Sequence, residues 1–104
     1  MITPHLKPDE LALLRRVFHG HPEIKIVKLF GSRAKGTHSP SSDIDLALWG
    51  DVDAIGAESI AAELDELPMA FNFDVKPFHL IKLHPLREHI ERVGITVYPE
   101  DKEI

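Results

Sequence analysis

Residues 31–48 read GSRAKGTHSPSSDIDLAL. From Asp43 onward the stretch alternates acidic with apolar residues, the pattern of a half-buried strand. Side chains of a strand point alternately to its two faces. Asp43 and Asp45 therefore share one face, their Cα atoms about 6.5–7 Å apart. Ile44, Leu46 and Leu48 share the other face and point into a core. The first half of the stretch is a Gly-Ser pair and then a loop rich in Ser, Gly and Pro. Two like charges beside a core strand need a reason, and so does the glycine-led loop in front of them.

Working outward, Ile24–Phe30 (IKIVKLF) is a β-branched run and a strand. The loop that joins it to the Asp43 strand is near the upper length of common connections, a class that is often functional. Before it, KPDELALLRRVFHGH predicts a helix. Pro8 suits the first turn, Asp9 and Glu10 favour the positive end, and Gly20 is the stop. Leu11, Leu14, Val17 and Phe18 form its apolar stripe.

After Trp49 and Gly50, residues 53–67 predict a second helix, with Ile55, Ile60, Leu64 and Leu67 as its apolar side. Phe71–Leu80 (FNFDVKPFHL) predicts a third strand, and Pro77 restricts it to a sheet edge or a strand end. HPLREHIERVG is a last helix, and ITVYP a short final strand. This order predicts an α/β (α+β) fold with a small mixed sheet and helices packed on it. Residues 1–104 are expected to form a single domain.

Composition narrows the function. Lys plus Arg number 12 against 17 Asp plus Glu, a net charge of −5, which disfavours stable nucleic-acid binding. There is no cysteine, so disulfide and thiolate chemistry are excluded. The chain shows no signal peptide and no apolar run long enough to span a bilayer, so a cytoplasmic protein without membrane contact is expected. The seven histidines do not make a zinc site: His19 and His21 flank a helix end, and His84 and His89 are five apart, the wrong spacing for one helix face. Phe71, Phe73 and Phe78 are packing residues, and Trp49 is a partly exposed strand end, with adenine stacking its weaker reading.

The third strand repeats the pattern of the second. Phe73 and Val75 take one face, while Asn72, Asp74 and Lys76 take the other. If the two strands are neighbours, Asp74 joins Asp43 and Asp45 on one polar face. Converging carboxylates repel each other unless a divalent cation sits among them. Oxygen donors suit Mg²⁺, and a pair of such ions can clamp the attacking and leaving oxygens of a phosphoryl or nucleotidyl transfer. Gly31 and Ser32 open a turn whose N–H groups and hydroxyl can hold phosphate oxygens. Arg33 and Lys35 can neutralise a triphosphate. A Walker A loop is excluded, because GSRAKG runs on into Thr37 and His38 without the Lys-Ser/Thr ending.

With Gly31-Ser32, ten residues, Asp43, one residue and Asp45 in place, the sequence resembles the DNA polymerase β type of nucleotidyltransferase superfamily. More closely, FGSRAKGTHSPSSDIDLAL resembles the minimal nucleotidyltransferases, the MNT proteins. The resemblance implies the nucleotidyltransferase fold and metal binding by Asp43, Asp45 and Asp74, with two Mg²⁺ ions. It also implies nucleotide-phosphate binding at Gly31 and Ser32, with ATP as substrate. Many members of that family are antitoxins that pair with a HEPN-domain ribonuclease toxin and transfer AMP onto one of its tyrosines. The expected function is this AMPylation, in a homo- or hetero-oligomer. The alternatives are a non-catalytic antitoxin that covers its toxin and a transferase acting on a small molecule such as an antibiotic.

Overall fold

The structure, a computed structural model, describes residues 6–31, 43–69 and 71–99. Its elements are α1 (Pro8–His19), β1 (Ile24–Phe30), β2 (Ile44–Gly50), α2 (Ala54–Asp65), β3 (Phe73–Pro77), a 3₁₀ turn (Phe78–Leu80), α3 (His84–Val93) and β4 (Ile95–Tyr98). The four strands form one sheet in the order β3-β2-β1-β4. β1 runs antiparallel to both β2 and β4, whereas β3 runs parallel to β2. The expected mixed sheet with helices packed on it is borne out.

Two apolar layers sandwich the sheet. α1 and α2 cover one face around Leu14, Phe18, Leu29, Leu46, Leu48, Ile60 and Leu64, all fully buried. On the other face, the 3₁₀ turn and α3 cover Phe30 and Ala47 with Phe78, Ile81 and Ile90. The helix ends follow their sequence signals. Pro8 starts α1 and Glu10 accepts from the Lys7 N–H at 2.9 Å, while Asp53 caps α2 by accepting from the Gly56 N–H at 2.7 Å.

Two expectations are corrected. Ile55 does not face the core; it is 78% exposed, and Ala57 takes the buried place with Ile60 and Leu64. The stripe 57-60-64 follows helical spacing, and residue 55 falls off it. The third strand ends at Pro77, and Phe78–Leu80 turn into 3₁₀ geometry. Proline offers no N–H for a further ladder bond, and Arg87 holds the turn instead, donating through Nη1 to the Phe78 carbonyl at 3.1 Å and the Ile81 carbonyl at 3.0 Å. No helix among the described residues is long and apolar enough to cross a membrane.

Candidate active site

The site is built from three strand registers. Phe30 is opposite Asp45 across the β1–β2 pair, so the chain leaves β1 beside the Asp45 carboxylate. There Gly31 adopts a positive φ of 79°, and a Cβ at this position would run into Asp45 Oδ2. Only glycine combines that backbone with that proximity. In the parallel β2–β3 pair, Asp45 is the register partner of Asp74, with strands about 4.8 Å apart. Asp43 lies exposed just before β2.

The electrostatics follow from this placement. Burial, then the charges of Asp74 and Asp43, push the Asp45 carboxyl above its ordinary value, while Lys76 pulls it back. Lys76 Nζ stands 3.3 Å from Asp74 Oδ2, an ion pair between half-exposed side chains. The three carboxylates thus sit in one another's field. They do not close into a ready ligand set, since among the described residues no three such side chains are grouped to hold a metal. The donors nonetheless fit a hard divalent cation: they are oxygen only, and the burial and neighbouring acids that hold the Asp45 carboxyl above its ordinary value are a cost that a bound cation would offset. Ser32, Arg33 and Lys35 lie outside the described residues.

Beyond the carboxylates, the same face carries a stack that sequence reasoning missed. Trp49 and Phe78 lie with ring centroids 4.4 Å apart and planes 19° from parallel. Lys28 caps Trp49 at 5.3 Å and Arg87 caps Phe78 at 4.3 Å. The Trp49 ring is therefore engaged by protein on both sides, which argues against stacking an adenine there. The clue was the parallel register: Leu48 opposite Pro77 puts the next residues, Trp49 and Phe78, side by side.

The family of the chain follows from a sequence comparison. Residues 13–103 match the polymerase beta nucleotidyltransferase family, and the chain belongs to it. The nucleotidyltransferase class expected from the sequence is borne out. Among curated proteins, no sequence matches significantly. Solved structures share the fold at low identity. One is a toxin–antitoxin with AMP-PNP, 22% identical over 92% of this chain and 76% of that one, with a TM-score of 0.72. A second is the toxin–antitoxin MntA-HepT, 17% identical over 88% and 72%, with a TM-score of 0.68. A third is a tri-AMPylated HEPN toxin of Shewanella oneidensis in complex with MNT antitoxin, 17% identical over 86% and 71%, with a TM-score of 0.62.

Proposed function

We propose that the chain transfers AMP from ATP to a hydroxyl of a protein acceptor, a tyrosine of a HEPN-domain toxin, and acts as its antitoxin. The observation that carries this reading is the register of Asp45 with Asp74, with Gly31 packed against the Asp45 carboxylate. Two fold neighbours, one holding AMP-PNP and one an AMPylated HEPN toxin, support the choice of nucleotide and acceptor.

Asp43 and Asp45 would hold Mg²⁺ together with the nucleotide phosphates, and Asp74 would complete the set. When bound, Mg²⁺ supplies charge neutralisation at the phosphates and eases deprotonation of the acceptor. Gly31, with no side chain, lets the backbone turn directly against the Asp45 carboxylate, so that its chain and the Ser32 hydroxyl would hold the phosphates beside the metal. Asp74 orients the acceptor hydroxyl and receives its proton. The acceptor oxygen bonds to the α-phosphorus, the bond from that phosphorus to the α,β-bridging oxygen breaks, and pyrophosphate leaves. Lys76, 3.3 Å from Asp74, offsets part of the repulsion within the carboxylate group.

The test is incubation with α-labelled ATP, Mg²⁺ and a HEPN toxin. Label should appear on the toxin and fall on the order of 10³-fold in Asp43→Ala, a loss of several kcal/mol in transition-state stabilisation. Toxin inhibition that needs no ATP and survives Asp43→Ala would replace the enzyme by a covering antitoxin. Label on a small molecule without partner protein would replace the acceptor.

A further inference from the structure

β3 pairs with β2 on one side, and among the described residues nothing pairs with its other side. A cavity of about 570 Å³ runs along this open edge. It touches every residue of β3, Phe73 to Pro77, although alternate side chains serve opposite faces of the sheet. A cavity with that lining lies against the backbone edge of the strand. α2 forms one wall, where Ala54, Ala57 and Ala61 leave width. The segment after β3 forms the other, and its Leu80 and Leu83 are 44% and 64% exposed. An open edge is a template for a further strand, and proteins usually blunt it with proline, charge or a covering element. Here Pro77 blocks only the last position, and Lys76 is engaged by Asp74.

We propose that an extended segment of the acceptor protein docks along β3 as an added strand, with apolar side chains on Leu80 and Leu83 and its hydroxyl residue at Asp74. The occupant follows from continuity. Asp74 and Lys76 line the groove and also belong to the candidate active site, so a chain lying in the one reaches into the other. Main-chain bonds to the strand give such a segment affinity, and the pockets for alternate side chains give it specificity. Lys82 stands exposed in the groove lining with no ion-pair partner among the described residues, which calls for an acidic residue in the segment. The choice of the acceptor as occupant and the placement of its hydroxyl rest on the adenylyl-transfer reading; the addition of a strand to the open edge does not.

A HEPN-domain toxin is the probe, and hydrogen exchange without ATP separates docking from chemistry. With saturating toxin, the outward amides of β3 should slow at least about tenfold. Leu83→Glu, and independently Leu80→Glu, should weaken toxin binding at least about tenfold in Kd, with circular dichroism and AMP-PNP binding unchanged. Protection confined to other elements would overturn the proposal. So would wild-type affinity in both variants, absence of toxin binding, or self-association through β3 that excludes the toxin. Toxin docked on β3 without label transfer from ATP would leave the groove assignment standing and remove the adenylyl-transfer reading.

Discussion

The two faces of β2 behave as two different materials. On one face Ile44, Leu46 and Leu48 are fully buried in a dry apolar layer. On the other, one residue out of phase, Asp45 meets acids and a lysine, Ala47 is buried among Phe30, Phe78, Ile81 and Ile90, and Trp49 joins a ring stack. The first face answers to the hydrophobic effect and is judged by stability. The second keeps a carboxyl where its own charge is disfavoured, which a fold tolerates for function. A strand alternation of two residues is enough to keep the two demands apart.

The sharpest way to break this contrast is to cut each face in turn. Leu46→Ala, on the dry face, should destabilise the protein by about 2–5 kcal/mol in chemical denaturation, because it leaves a cavity in a packed layer. Asp45→Asn, one residue away, should move stability in the opposite direction at neutral pH, by about 0.5–1 kcal/mol for a partly exposed group, while abolishing transfer. The sign follows from the raised value of Asp45: its contribution is present below the unfolded carboxylate value and is lost as pH rises through the folded one. A loss of stability in Asp45→Asn would mean that the acidic face is structural after all.

A smaller effect lies away from both faces. His21 bridges Glu23 at 3.1 Å and Glu63 at 2.7 Å, tying the start of β1 to α2. Burial pulls its pKa down, but the hydrogen bonds and charges of Glu63 and Glu23 more than reverse this, so it stands above the ordinary value of 6.5. Its stabilisation is complete below that ordinary value and fades as pH rises through the folded one. His21→Ala should lower the melting temperature at about pH 5.5 and lower it less at about pH 8.5, a difference worth about 0.5 kcal/mol. An equal loss at both values would assign His21 to packing alone.

Much of this was legible in the sequence where a signal has one physical meaning. The DID alternation settled the facing of β2, Pro8 and Gly20 marked the ends of α1, and Pro77 restricted β3 to a sheet edge or a strand end, both of which it occupies. The phase of α2 was misread, because an alanine-rich helix offers a weak stripe and Ile55 outweighed Ala57 on hydrophobicity alone. The aromatic stack and the open groove were out of reach. Both depend on which strands are neighbours and in what register, and pattern within one strand does not carry that. The pairing of Lys76 with Asp74 lies between these cases: alternation put them on one face, and only coordinates gave the 3.3 Å contact.

The proposed convergence of Asp43, Asp45 and Asp74 on one cation can be tested by paramagnetic broadening, with Mn²⁺ added to AMP-PNP and the isotopically labelled protein. Signals of Gly31, Asp43, Asp45 and Asp74 should broaden together at the same metal concentration, and Asp45→Asn should remove the effect at all four. Broadening at Asp43 and Asp45 that spares Asp74, or none near β2 at all, would contradict a shared site.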